Sequence, residues 1–110
     1  MTIKDLQKES HKLAKEKGWW SKKRSIGESL ALIHSEISEA LEEHRRGRQA
    51  TEIYLIDYNQ KPAGFPIELA DTMIRIADLA EKLVIDLTEA IRMKTEYNRT
   101  RPYRHGGKVL

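Results

Sequence analysis

The chain has 110 residues, enough for one domain with a real core, and its formal charge of +3 combines 20 Lys/Arg with 17 Asp/Glu. It has no cysteine, which excludes a disulfide framework and thiolate metal sites. No apolar run approaches the ~20 residues of a membrane helix, and MTIKDLQKES opens as an amphipathic helix rather than a signal peptide, so a soluble cytoplasmic protein is expected.

The elements read as helices, each with a start signal. Thr2-Ile-Lys-Asp5 is a variant capping box, and the first helix is expected from Ile3 to about Lys17, with Ile3, Leu6, Leu13 and Ala14 apolar and Gly18 as its stop. Trp19 and Trp20 follow, ahead of Lys22-Lys23-Arg24. Such a pair serves packing or subunit contact first and base stacking second, the latter worth ~1–3 kcal/mol whatever the base. Ser25-Ile-Gly-Glu28 opens a second helix ending near Gly47, with a core stripe of Ile26, Leu30, Ile33, Ile37, Ala40, Leu41 and His44.

Between the second and third helices, Ile53–Ile56 has strand character and Asn59–Pro62 is turn-like, so a short extended excursion or a hairpin is expected. The third helix is expected from Pro66, which suits a first helical position, to about Val84. Asp86-Leu-Thr-Glu89 opens the fourth, over Leu87–Asn98. From Arg99 onward Pro102, Gly106 and Gly107 argue against regular helix. The division is therefore a helical domain over residues 1–98 and a basic tail over 99–110. Residues 1–91 carry 14 Lys/Arg against 16 Asp/Glu, whereas residues 92–110 carry six against one. The fold class is all-α, a four-helix bundle-like arrangement with a long, partly extended loop between helices 2 and 3. Its first helix is polar enough that helices of a second subunit are expected to complete the core.

The carboxylates of SEISEALEE set the chemical problem. Glu36, Glu39 and Glu43 share a helix face, with Glu39 and Glu43 at about 300° and 340° from Glu36 and the apolar stripe at about 40° to 140°. Leu32 falls among them, which a purely solvated face does not require. In PIELAD, Glu68 and Asp71 repeat the three-residue spacing, with Arg75 on the same stripe beside Leu69, Met73, Ile76, Ala80 and Leu83. Neighbouring like charges repel, and far more so when desolvated. If the two helices pack together, four carboxylates converge at the core's edge, where a hard divalent cation fits. Mg²⁺ takes oxygen ligands and works with a few carboxylates plus substrate phosphates, with Mn²⁺ a common stand-in. A di-iron bundle needs Glu-x-x-His twice, and no Glu-x-x-His occurs in this chain.

The pattern E-x2-E, 28 residues, E-x2-D resembles the signature of the MazG-like, all-α nucleoside triphosphate pyrophosphohydrolases. KGWW (Lys17 to Trp20), GFPIELAD and YNRTRPYRHGGK (Tyr97 to Lys108) extend the resemblance to a small single-domain branch and over nearly the whole chain. It implies a helical homodimer or homotetramer and Mg²⁺-dependent hydrolysis of a nucleoside triphosphate to the monophosphate and pyrophosphate, serving nucleotide-pool control or house-cleaning. It implies Glu36, Glu39, Glu68 and Asp71 as the catalytic and metal-binding set. Many relatives carry an acid where this chain has Ser35, and Glu43, one turn beyond Glu39, is a candidate for partial compensation. The substrate's phosphates and base are expected to meet Lys94, Asn98, Arg101, His105, Lys108 and Trp19, the tail groups serving a partner subunit's site in a dimer.

Arg75 is expected to pair with Asp71 or Asp78, His44 to pack on the apolar stripe, and His11 and His34 carry no assigned role. Two other classes stand beside the enzyme. One is a nucleic-acid-binding helical module using the basic tail, which leaves the acidic quartet unexplained. The other is a catalytically silent dimerisation domain, which would show no Mg²⁺ response.

Overall fold

The computed structural model describes all 110 residues. Helix α1 spans Ile3–Glu16, α2 Ile26–Arg45, α3 Phe65–Lys82 and α4 Leu87–Thr100. Strands β1 (Tyr54–Ile56) and β2 (Lys61–Ala63) intervene between α2 and α3, and a single turn, α5, occupies Arg104–Gly107. The capping boxes at Thr2 and Ser25 close reciprocally, each side chain accepting from the backbone N–H three residues on while that residue's carboxylate accepts from the cap N–H. Asp86 caps α4 by accepting from Glu89 N, but Glu89 turns to Arg92 instead of reaching back. No helix is long and apolar enough to cross a membrane.

Two boundaries differ from expectation. Helix α3 stops at Lys82, because Val84 takes φ 58° in the turn to α4. Helix α4 runs past Asn98 and Arg99 to Thr100, and Arg101 is extended ahead of Pro102, whose ring disfavours helical backbone in the residue before it. The tail turn holds left-handed residues at Arg104, His105 and Gly106, so it is not regular helix.

Helix α3 is the centre, with α1 and α2 packed on it, while α4 leans chiefly on α1. The centre is small and polar: Ala40, Ala77 and Ala80 are buried along with Gln7, Ser10, Ser29 and Thr72. Gln7 ties the α3–α4 turn to α1, donating to Ile85 O at 2.7 Å and accepting from Leu87 N at 3.2 Å. Asp78 ties the α1–α2 connection to α3, its Oδ1 lying 2.8 Å from His11 Nδ1 and accepting from Trp20 Nε1 at 2.9 Å.

The expected core stripe of α2 is buried only in part. Ala40 is buried and Ile33 half-buried, whereas Ile26, Leu30, Ile37, Leu41 and His44 are exposed, and Ser29, Glu36 and Glu43 are buried beside Ala40. Leu69, Met73, Ile76 and Leu83 of α3 are also left open. A radius of gyration of 16.6 Å exceeds the roughly 13 Å of a compact chain this long, as the protruding α4 requires. A closed four-helix bundle is thus not formed within one chain.

The hairpin pairs Tyr54 with Ala63 and Ile56 with Lys61. It enters α3 through Gly64 at φ 123°, where a Cβ would lie 2.3 Å from Glu52 O. Gly64→Ala is therefore expected to destabilise the protein by about 2–3 kcal/mol in urea denaturation. Gly27→Ala, in the open first turn of α2, is expected to be neutral or to stabilise by about 0.5–1 kcal/mol.

Candidate functional site

The packing of α2 on α3 brings the two acidic pairs together. Carboxylate oxygens of Glu36, Glu39 and Glu68 all lie within 4.8 Å of one another. Asp71, one turn further along α3, lines the same cavity of about 470 Å³. Trp19 lines it too, beside Leu13, Ala14 and Ile74, so the wall is part aromatic, part aliphatic. That volume lies within the ~300–1,000 Å³ of small-molecule sites.

Burial shapes the electrostatics of the cluster. Glu68 is pushed up to about 7 by desolvation first, then by the adjacent Glu39 carboxylate, with Asp71 and Glu36 adding repulsion. Its Oε2 is buried with no hydrogen-bond partner. Asp71 is also raised, by burial and then by Glu36, against the pull of Arg75 and Lys61. Glu36 is the most buried of the three clustered acids, and its Oε1 accepts from Arg75 Nε at 2.6 Å. Arg75 thus pairs across the helix seam with Glu36 rather than with Asp71 or Asp78, because its stripe faces α2.

Glu43 points away from this cluster. Its Oε1 accepts from Tyr54 OH at 2.8 Å, its Oε2 is buried and unpartnered, and the bond raises the tyrosine hydroxyl's pKa. Ser35 does not point inward either; its hydroxyl donates to Leu32 O at 2.6 Å along the helix. Three groups missed in the sequence stand in the cavity wall with Arg75: Lys17, Arg24 and Lys61. None of the three makes an ion pair. Arg24 lies over both tryptophan rings, at 5.9 Å from Trp19 and 5.6 Å from Trp20. Asp78 completes the lining, and no signal short of the tertiary fold assigns it there. Lys94, Asn98, Arg101, His105 and Lys108 do not line this cavity, since α4 carries them away from α3.

No protein-family model, curated protein or solved structure matches the chain.

The donor set is all carboxylate oxygen, with one buried oxygen unsatisfied, and that suits a hard divalent cation. The proton on Glu68 competes with such a cation. In chelator, a folded-state pKa near 7 against an ordinary 4.5 means the native state holds more protons, so stability falls as pH rises through that window. Glu68→Gln is expected to shrink that fall, read as the melting temperature in chelator across the window. Added Mg²⁺ is expected to raise the wild-type melting temperature more at about pH 8 than at about pH 5, because only the deprotonated cluster binds it.

Proposed function

We propose that the chain hydrolyses (deoxy)nucleoside triphosphates to the nucleoside monophosphate and pyrophosphate, with Mg²⁺ held by Glu36, Glu39, Glu68 and Asp71. One observation carries the reading: a single cavity joins a carboxylate cluster, a partly exposed tryptophan and three unpaired cations. Carboxylates alone suit a metal, and cations alone suit an anion. A metal–polyphosphate ligand satisfies both sets at once, which supports a nucleotide over a free metal ion or a neutral metabolite. The resemblance of E-x2-E…E-x2-D to the MazG-like pyrophosphohydrolases points the same way.

The reaction breaks the Pα–O–Pβ bond as water attacks the α-phosphorus, and the leaving pyrophosphate needs its charge neutralised. Bound Mg²⁺ supplies Lewis acidity and countercharge to the phosphates. The chain's own groups supply position. The Arg75–Glu36 bond fixes Glu36 at the seam, while Glu39 and Glu68 close the ligand set from opposing helices. Trp19, half exposed beside Leu13 and Ile74, offers the base a stacking surface.

Oligomerisation belongs to the same proposal. The rows Ile26, Leu30, Ile37, Leu41 and Leu69, Met73, Ile76 leave large apolar side chains exposed, which supports a second copy of the chain covering them. A second copy covering them gives α4 and the tail a route to a neighbouring cavity, where Lys94, Asn98, Arg101, His105 and Lys108 would meet phosphate. The protein is accordingly expected to run as a dimer or tetramer in light scattering, and Leu30→Lys to dissociate it.

Pyrophosphate release is expected from a panel of ribo- and deoxyribonucleoside triphosphates with Mg²⁺, the monophosphate as co-product, and none in chelator. Glu39→Gln is expected to lower kcat by roughly 10²–10³-fold while the helical content stays unchanged. Silence of the folded wild type across the panel, or full activity of Glu39→Gln, would overturn the reading.

A further inference from the structure

The hairpin between α2 and α3 has no part in the carboxylate cluster, yet it is built as a fixed arm reaching that cluster. Residues alternate across a strand pair, so Tyr54, Ile56, Lys61 and Ala63 share one face while Leu55 and Pro62 share the other. Ala63 is buried against the body and Leu55 is half exposed, so the first face is the inner one. Lys61 leaves that face into the cavity wall beside Glu36, Glu39, Glu68 and Asp71.

Two devices hold the arm. At its base Gly64 passes so close to Glu52 O that no side chain fits. On β1, Tyr54 donates to the buried Glu43 at 2.8 Å, and the Arg48 guanidinium lies 4.0 Å over the tyrosine ring while bonding Glu52 at 2.8 Å. Glu43 stands two turns from Glu36 on α2, so the same helix face that carries the cluster also fixes the arm.

Among the cavity's cations, Arg75 is paired with Glu36 and Arg24 is stacked on two indoles. The Lys17 and Lys61 side chains make no ion pair, and of these two Lys61 is the one whose charge acts on Asp71. The Lys61 ammonium makes no ion pair and no hydrogen bond, although it lines the same cavity as four carboxylates. An ammonium that shares a cavity with an acidic cluster without closing onto it is placed for a third party carrying negative charge.

We propose that Lys61 binds the phosphate chain of the substrate, and that the Glu43–Tyr54 hydrogen bond is the strut positioning it. This rests on the polyphosphate reading above. It assigns the phosphate contact to the chain that supplies the carboxylates, independently of any contribution from the tail.

Inorganic tripolyphosphate binding, by calorimetry with and without Mg²⁺, tests it. Lys61→Gln is expected to weaken Mg²⁺-tripolyphosphate binding about tenfold and to raise KM for the nucleotide by a similar factor with kcat little changed. Its Mg²⁺ affinity without polyphosphate should be equal to or tighter than that of wild type, since a cation beside Asp71 is removed, and Lys22→Gln, outside the cavity, should change nothing. Tyr54→Phe keeps the ring under Arg48 and removes only the hydroxyl. It is expected to weaken tripolyphosphate severalfold and to add nothing once Lys61 is Gln, a non-additivity that general loosening would not give. Glu43→Gln, which preserves an acceptor for Tyr54, should stay near wild type.

Wild-type affinity in Lys61→Gln would overturn the assignment while the nucleotide reading stands. Additive losses in the double variant would overturn the strut alone. A wild type that binds Mg²⁺ but no tripolyphosphate would remove the polyphosphate reading, and Lys61's role with it.

Discussion

Burying carboxylates at the seam between α2 and α3 is the constraint to which the rest of the structure answers. Glu36 is 7 % exposed, and an uncompensated charge at that depth costs several kcal/mol. Arg75 compensates it from across the seam, and removing either partner would strand the other. That pair closes in the rotation both helices adopt. Once Glu36 and Arg75 face each other, Ala40 is turned inward, Glu39 and Glu68 are driven together, and the apolar row Ile26–Leu41 is turned outward. A core built on apolar matching alone would have put that row against α3.

Polar posts hold the remaining elements because the apolar content of the centre is so small. Gln7 bonds the α3–α4 turn and Asp78 bonds both His11 and Trp20, so two connections are fixed by hydrogen bonds rather than by packing. Alanines at the α2–α3 contact let the backbones approach closely, which shortens the distance between carboxylates on opposite helices. The site and the weak centre thus have one origin: close, polar helix contacts favour a charged cluster and leave the large apolar side chains unspent.

The helices were legible because their signals are local. Capping oxygens three residues before an acid, Gly after the first two helices and Pro66 at the third's start act within a turn. The hairpin was legible for the same reason. The acidic pairs could be read as one site, since three-residue spacing puts each pair on one face whatever the fold. What the sequence could not show was rotation. The α2 wheel has an apolar side and an acidic side, and either could face α3; the Arg75–Glu36 bond, between residues 39 apart, decides it. With that rotation His44 is exposed rather than packed, Glu43 meets Tyr54, and Arg75 meets Glu36 rather than Asp71 or Asp78. Lys61 was invisible because its place depends on the strand register and on Gly64, neither of which bears on Glu68 until the hairpin is folded.

Charge is distributed unevenly along the cavity. Carboxylates are the charges that chiefly raise Glu68, whereas Asp71 is also acted on by two cations, Arg75 and Lys61, so acidic and mixed parts adjoin within one helical turn of α3. A bare cation would draw no benefit from the mixed part, and a bare polyanion would be repelled by the acidic part. A ligand carrying both signs along its length is stabilised at every point of that gradient. On the proposed reading, binding such a ligand would relieve the repulsion that the glutamates keep in the free protein.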